Sequence, residues 1–567
     1  MQTLKAIIPR TLFFQIGVCM MLIFISSAAE TLGLGMIMPL LASLLGDGEG
    51  GVFSTMLQAV FGQALTINTI LLIFVFLFST KFILGVIRNY MMYGIEWKLR
   101  GYWMNTFYQH NTLKNYRSFE SNKPGIITNE IINETLKAAS ALRQMLEFFS
   151  QVLLIVGLLT VLLISNFFYS SIFLLMAIVF TISIKFTIVN RVAKYGALRQ
   201  EYEGDIYHEV NEMIHGMKTV RFLELESFLL SRFQPKIGQL VSLMRKNETI
   251  RRLPSQIVEI LFISIFVVGL LLVKQDENFN IVSFLPFIGM LVMVSMRLFA
   301  NVGTVVAAYA AVASLWASVE KINEIMTEFQ RQNYQINTTD LIKKETFEDK
   351  VCFKNVDFFY QKGVPILKKL NVSFARGTFN VIIGPSGSGK STLAKILIGL
   401  YKPSKGQITL DGLDINELSS LSLSKLISYV DQEHFFFNGT LLENLQHKLT
   451  NITEERINEA LVLTNAQGFV EALPDGLNTL VGDKGDFLST GQKARLAFAR
   501  ALLLEPKILV LDEITSALDQ KSSNYIIQTI LKLRKSLTII AISHDPLVLD
   551  QAEKLYELTD YKLNQIK

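Results

Sequence analysis

The sequence predicts a multi-domain protein: an all-α membrane part of six helices over residues 1–329, a linker over 330–349, and an α/β part over 350–567. Three observations predict it. Half of the 567 residues are hydrophobic and only 18% are charged, where soluble domains carry roughly a quarter. The apolar excess is confined to about the first 315 residues, after which charged and apolar runs alternate as they do in a soluble α/β domain. Within that second part a glycine-rich turn stands between a strand-like run and a helix-like one.

Six apolar stretches reach the ~20 residues that a helix needs to cross a ~30 Å hydrocarbon layer. They are 12–45, 66–94, 140–166, 168–190, 253–274 and 281–312. Lys5 and Arg10 before an apolar run, with Ser27-Ala28-Ala29 behind it, resemble a secretory leader, but the apolar pattern continues from Leu32 to Leu45. An uncleaved first helix is therefore expected. Segments 46–65 and 165–170 contain no Lys or Arg, whereas 191–252 is rich in both, so the positive-inside rule places 95–139, 191–252 and both termini in the cytosol.

The two long cytosolic connections read as helical, with Tyr116 and Phe119 in the first and Phe222, Leu223, Phe228, Leu229 and Phe233 in the second. Such aromatic-tipped extensions are expected to dock on a soluble domain. The net charge of +5 is not gathered into one tract, which argues for topology and against nucleic acid as a partner. Two cysteines, Cys19 and Cys352, are too few for a disulfide framework or a metal cluster.

Chemistry enters at Gly384-Pro385-Ser386-Gly387-Ser388-Gly389-Lys390-Ser391, a full GxxxxGK[ST] pattern. It follows the apolar run 379–383 and opens the run Thr392 to Leu400, the strand and helix context that the pattern requires. Glycines let the backbone curl so that its N–H groups face phosphate oxygens, and the helix N-terminus adds a favourable dipole. Lys390 is expected to neutralise the β and γ phosphates of ATP, and the Ser391 hydroxyl to hold Mg²⁺. About 120 residues on, the run Lys507 to Leu511 reads as a buried strand ending in Asp512 and Glu513. Ligands of open parallel sheets sit at the carboxyl ends of strands, so Asp512 is placed to hold Mg²⁺ and Glu513 to polarise the attacking water.

With these motifs the chain resembles the ATP-binding cassette transporters of exporter type. Leu488-Ser489-Thr490-Gly491-Gln492-Lys493 is similar to the family signature, with Thr490 where a glycine is usual. Other elements appear in family order: Tyr360 as the aromatic that stacks on adenine, Gln432 of the Q-loop, Ser516-Ala517-Leu518-Asp519 as the D-loop, and His544. The resemblance implies an α/β P-loop ABC domain in which Gln432, Glu513 and His544 are catalytic, and Ser391, Gln432 and Asp512 hold the metal. Contacts to ATP are implied for Tyr360, residues 384–392 with Thr392, and Ser489, Gly491, Gln492 and Asp519. It also implies that Ser489 and Gly491 of a second copy complete the site. A homodimer is expected, in a bacterial cytoplasmic membrane, and a heterodimer with another half-transporter stays open.

For the cargo, ionisable residues inside spans are the candidates, because they are costly there: Glu30, Lys81, Arg88, Glu259 and Arg297. At 1.5 Å per residue Lys81 and Arg297 lie about 22 and 24 Å from the outer ends of their helices, so they share a depth. In a dimer Lys81, Arg88 and Arg297 are expected to ring a cavity and hold an anionic head group, with Glu30 pairing with such a cation or touching cargo. The alternative is that Arg88 and Lys81 snorkel to the interface or pair with Glu259. Glu30-Thr31, Met38-Pro39, Arg297-Leu298 and Asn301 are similar to the bacterial lipid-linked oligosaccharide flippases. The alternatives are export of a peptide, antimicrobial or hydrophobic drug, and a non-transporting ABC ATPase regulator.

Overall fold

The structure, a computed structural model, describes residues 7–45, 66–114, 116–117, 124–167, 170–171, 190–273, 281–338, 341–360, 364–446, 452–515, 518–534 and 536–567. The chain forms two compact units, one of Met1–Leu113 with Asn122–Asn333 and the other of Lys114–Ser121 with Tyr334–Lys567.

The first unit is helical. Its elements are α1 (Arg10–Gly35), α2 (Ile37–Leu45), α3 (Ile67–Leu113), α4 (Thr135–Ser165), α5 (Asn190–His215), α6 (Met217–Phe222), α7 (Glu226–Val273) and α8 (Ile281–Thr338). Four helical stretches among the described residues are long and apolar enough to cross a membrane: Arg10–Leu45, Ile67–Leu113, Ile126–Ser165 and Leu285–Arg331. The expected fourth span, 168–190, lies almost wholly outside the described residues, as do the side chains of most of 253–274.

Three boundaries differ from those expected. The first stretch is interrupted at Met36, because Pro39 has no N–H to return to the carbonyl of Gly35 and its ring crowds that carbonyl. The second helix continues past residue 94 to Leu113. Its extension carries Ile95, Leu99, Trp103 and Phe107 at four-residue spacing, a stripe that buries against Ala138, Ala139 and Leu142 of α4 and Ile322 and Met326 of α8. The last helix runs to Thr338, into the stretch read as linker, where residues 330–338 contain neither Pro nor Gly to stop it.

Close helix approach relies on small residues. A Cβ at Gly157 of α4 would stand 2.5 Å from the Thr31 hydroxyl of α1. Two polar groups buried between helices find partners. Glu96 of α3 accepts a hydrogen bond from the Ser140 hydroxyl at 2.7 Å and meets Arg143 Nε at 2.9 Å, both on α4. The Trp103 indole donates to the Ile7 carbonyl at 2.9 Å.

The second unit is built on two sheets. The smaller is antiparallel with order β2-β1-β4-β5, from β1 (Lys350–Phe358), β2 (Leu367–Ala375), β4 (Lys405–Leu410) and β5 (Leu413–Asp414). The larger has order β10-β9-β3-β8-β7-β6, from β3 (Phe379–Ile383), β6 (Ile427–Val430), β7 (Ile508–Asp512), β8 (Thr538–Ile542), β9 (Lys554–Thr559) and β10 (Lys562–Gln565). Strands β9, β3, β8, β7 and β6 run parallel, with only the β9–β10 pair antiparallel. All five residues of β7 and of β8 are buried, as the unbroken runs ILVLD and TIIAI require of strands covered on both faces. The helices that matter to the site are α9 (Lys390–Leu397), α10 (Thr490–Leu503) and α11 (Gln520–Leu533).

Removing the Glu96 carboxylate strands a cation: Glu96→Ala is expected to destabilise the detergent-solubilised protein by about 3 kcal/mol. Glu96→Gln, which keeps an acceptor for Ser140, should cost clearly less. Thermal unfolding of the two variants side by side checks the order.

Candidate functional site

The parallel register sets the site. In the order β3-β8-β7-β6 each strand ends in one group of the predicted set: the glycine-rich loop after β3, His544 after β8, Asp512 and Glu513 at β7, and Gln432 after β6. Residues distant in sequence thus meet along one sheet edge, where side chains of an α/β unit gather a ligand.

The glycine-rich loop is closed by its own geometry. Gly389, the residue before α9, has φ +102°, and a Cβ there would come within 2.7 Å of Ile366 Cγ2. At Gly384 a Cβ would meet the Leu558 carbonyl at 2.6 Å. Only glycine leaves room for the backbone to pass at both points. Lys390 is buried, and its ammonium donates to the carbonyls of Gly384 at 2.7 Å and Pro385 at 3.1 Å. Pro385, Ser386 and Gly387 are exposed on the loop's outer face. A curled backbone, an interior lysine and a helix N-terminus beneath it suit a polyphosphate.

Tyr360 stands over the same helix, its hydroxyl 3.0 Å from the Thr392 hydroxyl, with its ring edge-on to Phe358 and Tyr401 at 5.2 and 5.6 Å. Its backbone is held by a residue the sequence reading passed over. Arg117, from segment 114–121 of this unit, donates from Nη2 to the carbonyls of Phe359 and Tyr360, both at 2.9 Å. Tyr116 beside it packs on Tyr401 at 5.7 Å, with Lys395 over its ring. An exposed arginine in a polar connection carries no sequence signal for such a contact.

Asp512 is 1% exposed, and burial raises its pKa, while the Ser391 and Tyr429 hydroxyls favour the carboxylate and the charges of Asp431 and Glu513 oppose it. Its Oδ1 is buried without a hydrogen-bond partner among the described residues. A buried anion with an open oxygen beside a serine hydroxyl is a donor set that suits a hard divalent cation. Glu513 holds a left-handed backbone, φ +51°, fixed by its N–H to the Ile542 carbonyl at 2.9 Å. Its Oε2 accepts from the Gln432 carboxamide at 2.9 Å. Gln432, Asp512 and Glu513 therefore form one group with Ser391, and His544 lies exposed just after β8.

The remaining expected contacts are occupied locally. Ser489 caps α10: its hydroxyl accepts from the Gln492 N–H and its own N–H donates to the Gln492 side chain, so both residues serve the helix start. Thr490 is exposed at the first position of that helix, next to Gly491. Asp519 caps α11, accepting from the Ser522 N–H and hydroxyl at 2.9 and 2.8 Å. Ser516 and Ala517 lie outside the described residues.

In the helical unit Glu30 is buried and takes both expected cations: Lys81 Nζ lies 3.1 Å from its Oε1, and Arg297 Nε donates to the same oxygen. Arg88 instead donates to the Ser150 hydroxyl at 3.1 Å and to Asn89. The side chain of Glu259 lies outside the described residues.

Comparison with known proteins agrees with this arrangement. Residues 367–516 match the ABC transporter family, and residues 16–312 match the ABC transporter transmembrane region. An ATP-dependent lipid A-core flippase of Legionella pneumophila is 31% identical over 420 residues, 73% of this chain and 69% of its own. A multidrug resistance ABC transporter ATP-binding and permease protein of Lactococcus lactis is 28% identical over 444 residues, 77% of this chain and 73% of its own. A bacterial Atm1-family ABC exporter solved with ATP bound shares the fold, with TM-score 0.75 and 20% identity over 98% of this chain and 96% of its own. The two halves of the polypeptide, a helical membrane region and an ATPase domain that couples hydrolysis to transport, make this chain a member of the ABC transporter family, of exporter type.

Proposed function

We propose that this exporter moves an amphipathic cargo with an anionic head group, such as a phosphate-bearing lipid, from the cytosolic side outward across a bacterial cytoplasmic membrane. The observation that carries this reading is the charge count at Glu30. Among the described residues, one buried carboxylate serves two cations, Lys81 and Arg297, whose side chains are 30% and 39% exposed against 7% for Glu30. A surplus positive charge among apolar helices is costly unless an anion answers it, and the exposed sides of the two cations are where that anion binds. The lipid A-core flippase among the relatives supports a lipid cargo. The multidrug transporter among them supports a second reading, a hydrophobic drug, with a peptide the further alternative of the same architecture.

In the engine, ATP supplies the phosphoanhydride whose hydrolysis drives the cycle, and a Mg²⁺ ion, when bound, would supply charge neutralisation of its phosphates. Lys390 and the loop N–H groups bind the triphosphate, and Tyr360 carries the adenine face. Ser391, Asp512 and Gln432 would hold that cation. Glu513 orients and deprotonates the attacking water once Gln432 leaves its carboxylate, with His544 donating to the γ-phosphate. Ser489 and Gly491 reach the nucleotide from a second copy of the chain, so a homodimer completes two sites.

Glu513→Gln is expected to bind ATP yet lower turnover by on the order of 10² or more, measured as phosphate release; undiminished turnover removes Glu513 as the base. In proteoliposomes, the Lys81→Gln, Arg297→Gln double variant should lower stimulation of ATPase activity and transport by a phosphate-headed lipid about tenfold relative to stimulation by a neutral amphiphile. Equal losses with both cargoes count against the anionic head group, and stimulation by amphipathic peptides alone favours the second reading.

A further inference from the structure

Between the ends of β6 and β7 lies a chain of hydrogen bonds that the motifs do not include. Tyr429, on β6, is mostly buried, and its hydroxyl faces two carboxylates, Asp431 Oδ1 at 3.1 Å and Asp512 Oδ2 at 3.2 Å. The same Asp431 oxygen accepts the Gln432 backbone N–H at 2.8 Å, and the Gln432 carboxamide donates to Glu513 at 2.9 Å. The sequence Asp512, Tyr429, Asp431, Gln432, Glu513 thus closes a ring between adjacent acids at the end of β7. An aromatic that only filled the core would not set its one proton between two carboxylates.

We propose that Tyr429 and Asp431 are positioning residues for the divalent cation of ATP hydrolysis. Tyr429 fixes the plane of the Asp512 carboxylate by its Oδ2, which leaves Oδ1, without a hydrogen-bond partner among the described residues, available to a cation. Asp431 holds the Tyr429 hydroxyl and the start of the Q-loop with one oxygen, so the cation ligand on β7 and Gln432 on β6 share one anchor. A rigid pair of ligands lowers the ordering cost that a loose pair incurs when the metal binds. The inference rests on the assignment of Ser391 and Asp512 to the cation given above.

The test is Mn²⁺ binding to the full-length chain in nanodiscs, loaded with a nonhydrolysable ATP analogue and followed by electron paramagnetic resonance. Tyr429→Phe should raise the Mn²⁺ Kd about tenfold, equivalent to about 1.4 kcal/mol, and raise the Mg²⁺ concentration for half-maximal ATPase activity, while the affinity for the analogue without metal stays within twofold. Asp431→Ala should raise the Mn²⁺ Kd about threefold, and Asp431→Asn, which keeps an acceptor oxygen, should restore it. Asp512→Asn serves as the reference for a lost ligand. If Asp512→Asn weakens Mn²⁺ and Tyr429→Phe leaves it within twofold of wild type, the positioning role is wrong. If Asp512→Asn itself leaves Mn²⁺ binding intact, the cation assignment fails and the inference with it. Because Asp431 is exposed, its alanine variant tests the same contact without disturbing the core, and an unchanged Kd there also overturns the proposal.

Discussion

Strand polarity is the constraint on which the catalytic half depends. Gly384 and His544 are 160 residues apart in sequence, and Gln432 and Asp512 fall between them. Nothing local brings these groups together. The register does: Val381 pairs with Ala541, Leu511 with Ala541, and Val430 with Leu511, so β3, β8, β7 and β6 end level. Reverse one strand and its carboxyl-end group would move to the opposite side of the sheet. The apolar runs of β7 and β8 are therefore functional in an indirect sense, since their burial on both faces holds the polarity that aligns the acids.

In the helical unit the corresponding constraint is charge balance among packed helices. Glu96 with Arg143 and Ser140, and Glu30 with Lys81 and Arg297, are solutions to one problem at two depths. The first is balanced and ties two helices. The second carries, among the described residues, one cation more than it has acids and joins α1, α3 and α8. That asymmetry sets the second cluster apart from the first, which only ties helices together.

Fold class and phosphate loop were legible because their signals are short-range: a run of apolar residues, or eight consecutive positions whose glycines have only one use. Pairings between distant residues were legible only as a set of candidates. Sequence spacing put Lys81 and Arg297 at one depth, yet whether they faced Glu30, Glu259 or an open cavity depends on helix rotation, which no local pattern encodes. The break at Met36 was readable from Pro39, but the apolar run concealed it. Tyr429, Asp431 and Arg117 escaped notice for a different reason: each is an ordinary residue whose role comes from one contact across the fold. Ser489, Gln492 and Asp519 show the converse, since residues implied by family likeness also serve as helix caps, a use that fits their chemistry equally well.

The Lys390 ammonium rests on the carbonyls of Gly384 and Pro385, so two of its three donors are engaged by the loop's own backbone. An incoming anion must therefore win an exchange against two acceptors. A single inorganic phosphate brings one centre to that contest, whereas a triphosphate brings three in tandem and can engage the backbone donors before the lysine turns over. The two carbonyls that hold the lysine thus set a competition that a chain of phosphates meets more easily than a single one.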